Sequence, residues 1–198
     1  MLPRLHAVTN DRILSLADLE TRACDIARAG EVALHLRARS IPARPLVEIA
    51  RRFQSSQGTL FVNDRLDLAA YVSSPGVHLP SAGLPTATAR QLLGPSVTIG
   101  RSTHSPEEAL VAWNEGADYV FLGPIWETAS HPGQAGIGIL AIERAQPARV
   151  IAIGGITPER VPMCVEVGAY GVAAVSALWS AADPAASATQ MLVCFGES

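Results

Sequence analysis

The feature that most constrains the fold is an eightfold alternation of short apolar runs with helix-like segments. The apolar runs show little polar alternation, which is typical of strands covered on both faces of a parallel sheet. We predict strands at residues 4–8, 32–37, 59–62, 76–79, 97–100, 119–123, 150–153 and 171–176. We predict helices at residues 16–28, 45–53, 64–72, 85–93, 106–114, 137–145, 158–167 and 184–194.

This alternation predicts an α/β fold, a single-domain (β/α)8 TIM barrel that takes up residues 1–198. A doubly wound open sheet is the alternative, but eight units in so short a chain favour closure of the sheet. The longest predicted loop, residues 124–136, follows the sixth strand. A loop of that length in a compact barrel is more often functional than accidental.

Composition excludes several classes of protein. Hydrophobic residues make up 48% of the chain and charged residues 17%, which argues against intrinsic disorder. A net charge of -3 without a basic stripe gives no reason to expect nucleic acid as a partner. No apolar stretch reaches the ~20 residues that a membrane helix needs. The three cysteines are far apart in the sequence, which indicates small buried core residues of a protein in a reducing compartment. We expect a cytoplasmic protein that binds no membrane and that can form a homo-oligomer.

The seventh and eighth predicted strands end in small residues that suit an anion. Gly154 and Gly155 follow a buried strand and precede a helix start, where backbone N–H groups are free. The eighth strand ends at Val175 and Ser176. Because the loops after strands seven and eight hold phosphate in many such barrels, we predict a phosphate site here. The alternative is an ordinary helix start capped by Thr157.

The second predicted strand ends in residues that suit an anionic substrate. His35, Arg37 and Arg39 alternate with period two and therefore share one face. A guanidinium group matches the oxygens of a phosphate or carboxylate, so both arginines are candidate substrate ligands. The alternative is a structural ion pair with Asp11 or Asp64.

Further polar candidates follow the next four strands. Asn63 and Asp64 end the third strand; Asp64 can bind a metal, and one of the two can cap the next helix. His78 ends the fourth strand and Ser102 follows the fifth. His131, on the long loop, titrates near neutrality and can act as an acid, a base or a phosphate ligand. An exposed histidine without a role is the alternative.

Seven segments of the chain match the motifs of a known family: LHLRAR at 34–39, FVNDRLDLA at 61–69, GVHL at 76–79, IGRSTHS at 99–105, GADY at 116–119, GPIWET at 123–128 and AIGGITPE at 152–159. Together they resemble the thiamine phosphate synthase/TenI superfamily. The similarity runs from about residue 5 to residue 177, in the right order and spacing. It implies a (β/α)8 barrel that binds a small-molecule thiazole phosphate, with the phosphate after the last two strands.

The resemblance leaves the reaction open. In the synthase, a pyrimidine diphosphate ionises to a carbocation, which the thiazole nitrogen attacks, and the departing diphosphate needs cations and Mg²⁺. Matches to the binding residues of that site include Arg37, Asn63, Asp64 and Ser102, with Asp64 as metal ligand and Thr128 opening the substrate loop.

Three positions depart from the synthase pattern. A family lysine is Arg39 here, a second Mg²⁺-binding aspartate is Gly83, and the lysine of a Thr-Pro-Thr-Lys loop is His131. The loss of the carboxylate at Gly83 and of the ammonium at His131 is expected to weaken stabilisation of the transition state by several kcal/mol, on the order of one electrostatic contact.

The TenI branch also lacks much of this apparatus, and its members resemble thiazole tautomerases that move a proton without a metal. Some carry a histidine where this chain has Pro124, so the base would be another histidine, His35 first and then His131, with His78 a further candidate. The sequence therefore favours a tautomerase that needs no cofactor. A synthase that uses Mg²⁺ is the second interpretation, and a non-catalytic, regulatory phosphate-binding barrel is the third.

Overall fold

Eight parallel strands close into a barrel in the order of the sequence, and the last strand pairs with the first. The computed structural model describes residues 1–128, 133 and 135–196. The strands are β1 (Leu5–Val8), β2 (Val32–Leu36), β3 (Thr59–Asn63), β4 (Gly76–Leu79), β5 (Thr98–Thr103), β6 (Tyr119–Leu122), β7 (Val150–Ile153) and β8 (Gly171–Ala174). The predicted (β/α)8 barrel is therefore confirmed.

Helices join the strands on the outside of the barrel. A 3₁₀ turn, Pro158–Arg160, leads directly into the helix Val161–Glu166. The helices are α1 (Asp11–Leu14), α2 (Leu19–Ala27), α3 (Ala43–Ser55), α4 (Leu66–Tyr71), α5 (Thr86–Leu93), α6 (Pro106–Asn114), α7 (Leu140–Arg144), α8 (Val161–Glu166), α9 (Ser176–Trp179) and α10 (Pro184–Val193).

The predicted element boundaries were wrong where polar residues extend a strand or a short helix intervenes. Strand β5 continues beyond residue 100, because Ser102 and Thr103 pair with residues of β6. Asp64 has a φ of 65°, so α4 begins two residues later than predicted. The eighth strand ends at Ala174, and the four-residue helix α9 follows it.

The barrel interior is packed with rings. Phe61, Tyr119 and Phe121 form a cluster separate from the main core between strands and helices. Gly76 and Gly100 make this possible, because the Phe61 ring lies where a Cβ of Gly76 would be and the Tyr119 ring where one of Gly100 would be. Three histidines with at most 2% exposure, which the strands direct into the same interior, are His6, His35 and His78.

Two expectations about composition can be compared with the structure. Cys164 is buried as expected, whereas Cys24 and Cys194 are only half-buried. Within the described residues, every helix is too short or too polar to cross a bilayer.

Candidate active site

A cavity of about 220 Å³ lies at the carboxyl ends of strands β2 to β5. In a (β/α)8 barrel this end of the sheet carries the chemistry. The cavity brings together six of the predicted substrate and metal residues, from four strands that are distant in sequence. Its lining consists of Arg37, Ala38, Arg39, Asn63, Asp64, His78, Pro80, Ser81 and Ser102.

Arg37 offers an unpaired cation to this cavity. Its half-buried guanidinium group makes no hydrogen bond or ion pair with any described residue. Burial and the neighbouring charge of Arg39 lower the pKa of Arg37, while Asp11 raises it. A guanidinium group in this position gains most from an anion, because no described residue bonds directly to it.

The predicted ion pair between Asp11 and an arginine is not formed. Asp11 instead accepts hydrogen bonds from the backbone N–H of Arg39 at 2.8 Å and from the hydroxyl of Ser40 at 2.6 Å. These bonds, with the Ser40 hydroxyl first, lower the pKa of Asp11. Asp11 therefore holds the backbone that follows β2, and both arginine side chains stay available to a ligand.

Asp64 provides an exposed carboxylate at the end of β3. The carboxylate makes no hydrogen bond or ion pair with the described residues, and neither Asn63 nor Asp64 caps α4, so the capping alternative was wrong. Gly83 adds no carboxylate, and no group of three or more His, Cys, Asp or Glu residues is placed for a metal in the described ranges. Mg²⁺ is commonly held by one or two carboxylates plus substrate phosphates. The donor set therefore fits Mg²⁺ shared with a phosphate ligand.

The loops after β7 and β8 carry free backbone donors. Gly154 and Gly155 have φ values of 97° and 66°, the left-handed region that favours glycine. Among the described residues, the N–H groups of Gly154, Gly155 and Val175 find no hydrogen-bond acceptor. Ser176, which follows Val175, is exposed at the start of α9. These N–H groups follow two paired strands, as a phosphate site in this fold requires.

Arg160 holds the glycine loop against the loop that follows β6. It donates a hydrogen bond to the carbonyl oxygen of Gly155 at 2.6 Å, and its guanidinium carbon lies 4.8 Å from the centroid of the Trp126 ring. The backbone N–H of Trp126 donates to the carbonyl oxygen of Gly154 at 3.1 Å. The carbonyls of both glycines are thus held, which fixes the orientation of their peptide planes.

His35 does not lie where a general base is needed. Its side chain has no exposed surface; its Nε2 lies 2.8 Å from His6 Nδ1 and its Nδ1 lies 2.9 Å from Asn63 Oδ1. Burial lowers the pKa of His35 to about 4, although the bond with Asn63 raises it. Because both ring nitrogens are engaged below the cavity, the position suits support of Asn63 better than proton transfer to a substrate.

Sequence reasoning missed His6, the partner of His35. His6 Nε2 lies 3.0 Å from the carbonyl oxygen of Pro3, and the side chain is fully buried. Alternation along the first strand could have shown that His6 points inward, but no local signal identifies its contact with a residue of β2.

His78 lines the cavity, and both of its ring nitrogens are also engaged. Its Nε2 lies 2.9 Å from Ser102 Oγ, and its Nδ1 lies 3.1 Å from the hydroxyl of Tyr119. Burial lowers the pKa of His78 well below its usual value, and a positive charge on His35 or His6 would lower it further. The imidazole is therefore neutral at pH 7 and directly contacts a predicted substrate residue.

Two predicted residues belong to the loop after β6. Thr128 is half-buried at the last described position before the gap at residues 129–132. His131 lies outside the described residues, so its predicted role as a base or phosphate ligand stays a prediction.

Comparison with known proteins identifies the family. The family profile described as thiamine monophosphate synthase matches residues 5–178. A thiamine-phosphate synthase of Anaeromyxobacter dehalogenans is 37% identical over 190 residues, covering 92% of this chain and 86% of that protein. One of Moorella thermoacetica is 39% identical over 171 residues, covering 82% and 81%. A solved thiamine phosphate pyrophosphorylase from Pyrococcus furiosus superposes with a TM-score of 0.81 at 26% identity, covering 96% of this chain and 94% of that one. The chain therefore belongs to the thiamine monophosphate synthase family.

Proposed function

We propose that the protein is a thiamine phosphate synthase, which joins a pyrimidine diphosphate to a thiazole phosphate and releases diphosphate. The observation that carries the proposal is the unpaired guanidinium of Arg37 beside Arg39, in one cavity with Asp64 and Ser102. A departing diphosphate needs this combination of cations, a hydroxyl and a metal-binding carboxylate. The relatives named thiamine-phosphate synthase, which share 37% and 39% of their aligned residues with the chain, support the same activity.

Each polar group has a place in the reaction. The bond between the pyrimidine methylene carbon and the diphosphate oxygen breaks, and its electron pair leaves with the diphosphate. Arg37 and Arg39 bind the oxygens on which this charge accumulates. Asp64 would hold Mg²⁺, which supplies additional neutralisation of the diphosphate when bound. The thiazole nitrogen then forms the new C–N bond, with the thiazole phosphate held by the N–H groups of residues 154, 155 and 175.

The tautomerase interpretation has less support than the sequence alone indicated. His35 and His78 engage both ring nitrogens within the barrel, and Pro124 stands where some tautomerases carry a histidine. His131 is then the remaining candidate for the base among the three histidines considered. The relatives cited above carry the name of the synthase.

One experiment separates the proposed functions. Pure protein is incubated with the pyrimidine diphosphate and thiazole phosphate, with Mg²⁺ or with a chelator, and thiamine phosphate is quantified by chromatography. In parallel, the carboxythiazole phosphate isomers are incubated alone and their ratio is followed. We expect Mg²⁺-dependent thiamine phosphate and no accelerated isomerisation. Isomerisation without formation of thiamine phosphate would establish the tautomerase. The absence of both reactions would favour the non-catalytic phosphate-binding barrel.

A further inference from the structure

Beneath the cavity, Tyr119, His78 and Ser102 form a hydrogen-bonded row that leads from the barrel interior to the ligand. The Tyr119 hydroxyl lies 3.1 Å from His78 Nδ1, and His78 Nε2 lies 2.9 Å from Ser102 Oγ. Tyr119 has 0% exposure and His78 has 2%. Ser102 is half-buried and lines the cavity, so its hydroxyl is the part of the row most accessible to a substrate.

The hydrogens in this row can be assigned by counting donors. Among the described residues, the hydroxyl of Tyr119 has His78 Nδ1 as its hydrogen-bond partner and no other. A buried phenol that does not donate leaves its hydrogen unpaired, which is strongly unfavourable. Tyr119 therefore donates, and His78 Nδ1 accepts. A neutral imidazole that accepts at Nδ1 carries its hydrogen on Nε2.

The assignment determines what Ser102 presents to the cavity. Because His78 Nε2 donates to Ser102 Oγ, one lone pair of that oxygen is used and its own hydrogen remains free. Within the described structure Ser102 Oγ has no second hydrogen-bond partner, so the hydrogen is available to a ligand. With the opposite tautomer, Ser102 would donate to His78 and would present only lone pairs, which repel an anion.

We propose that Tyr119 is a positioning residue that acts through His78 and makes Ser102 a hydrogen-bond donor toward the anionic leaving group. The identity of that group rests on the proposed synthase activity, whereas the tautomer of His78 does not. A preorganised donor of this kind contributes most when negative charge develops on the leaving oxygen. The neutral state of His78 agrees with its burial and with the neighbouring His35, His6, Arg37 and Arg101, all of which lower its pKa.

The tautomer can be measured on the free protein. Imidazole ¹⁵N chemical shifts distinguish the two ring nitrogens, and the chain has only 5 histidines to assign. His78→Gln identifies the signals by their disappearance. We expect hydrogen on Nε2 and a bare Nδ1 at pH 7. Hydrogen on Nδ1 of His78 overturns the proposal, whatever reaction the protein catalyses, so failure of the synthase assay and failure of this inference are distinguishable.

A double-mutant cycle tests whether Tyr119 acts through Ser102. Binding of inorganic diphosphate in the presence of Mg²⁺ is measured for wild type, Tyr119→Phe, Ser102→Ala and the double variant. We expect Tyr119→Phe alone to weaken binding about tenfold, the contribution of one hydrogen bond to a charged group, and to add little in the Ser102→Ala background. Equal losses in both backgrounds would show a general structural effect and overturn the proposal.

The matched control is Tyr71→Phe. Tyr71 lies on α4 with 67% of its surface exposed, so the same loss of a hydroxyl occurs far from the barrel interior. Diphosphate binding should stay at the wild-type value.

Discussion

His6 Nδ1 and His35 Nε2 lie 2.8 Å apart inside the barrel, where neither side chain has any exposed surface. Burial lowers the pKa of His35 to about 4, and it lowers the pKa of His6 well below the usual value. Charging either ring would place a cation beside the other ring and near His78, whose pKa both rings lower when charged. The folded protein thus contains imidazoles that stay neutral, whereas the same groups titrate normally when unfolded.

The first prediction is a loss of stability in mild acid. The unfolded His35 has a pKa of about 6.5 and the folded one about 4, so the unfolded chain binds more protons between these values. Stability is therefore fully present above pH 6.5 and falls as the pH decreases toward 4. For His35 we expect about 2 kcal/mol less unfolding free energy at pH 5 than at pH 7, measured by urea denaturation.

The variant His35→Gln should lose the part of this pH dependence that His35 contributes, about 2 kcal/mol between pH 7 and pH 5. His104→Gln, at an exposed position, is the control for the removal of an imidazole. An unchanged pH dependence in His35→Gln would contradict the prediction.

The second prediction concerns Arg37. Arg37→Gln should lower kcat/KM of the proposed synthase reaction about 10²–10³-fold, as the loss of one electrostatic contact to the transition state does. The unfolding free energy should not fall, because the substitution removes a half-buried charge that has no partner in the described structure. Arg28→Gln, which breaks the exposed pair with Asp25, is the control for charge. A clear loss of stability in Arg37→Gln would show that the guanidinium group has a structural role.

The third prediction separates backbone strain from damage to the proposed phosphate-binding loop. Gly155 and Gly94 both have positive φ, 66° and 87°. A Cβ at Gly155 would lie 2.8 Å from Trp126 Cβ, whereas a Cβ at Gly94 would meet nothing within 4 Å. Both alanine variants should lose about 1–3 kcal/mol of stability from backbone strain, and Gly155→Ala should lose more because its Cβ also meets Trp126. In Gly155→Ala alone, KM for thiazole phosphate should rise at least about tenfold because the loop must shift. Equal KM values would contradict the assignment of this loop.

The fourth prediction concerns the missing carboxylate at Gly83. A Cβ there would lie 2.8 Å from the ring carbons of Pro80, so Gly83→Asp should destabilise the loop. The aspartate should raise Mg²⁺ affinity only when the ring is also removed, in Pro80→Ala/Gly83→Asp. Calorimetric titration with Mg²⁺ and diphosphate measures this difference. Pro80→Ala alone is the control. Tighter Mg²⁺ binding in the single Gly83→Asp variant would contradict the prediction, because the loop would then accommodate the aspartate with the Pro80 ring still present.

The barrel and most of its mouth could be predicted because both depend on local patterns. Short apolar runs between helical segments indicate parallel strands, and parallel strands bring their carboxyl ends to one edge. Arg37, Asn63 and Ser102 could therefore be expected in one cavity before their distances were known, and they line it. The turn at Gly154 and Gly155 was predictable for the same reason, since two glycines after a buried strand are a local signal, and its phosphate-binding role stays a prediction.

The sequence by itself thus determined which residues follow the strands, and only the tertiary structure decided which partners they meet. Register between strands places His6 opposite Ala33 and Val8 opposite His35, so the two histidines meet diagonally across β1 and β2. A partner of this kind depends on the stagger of neighbouring strands and on the space that Gly76 and Gly100 leave for rings. The alternation of residues within one strand gives no information on the stagger of its neighbours or on the space that is left for rings. For this reason His35 was predictable as an inward residue but not as part of a buried pair.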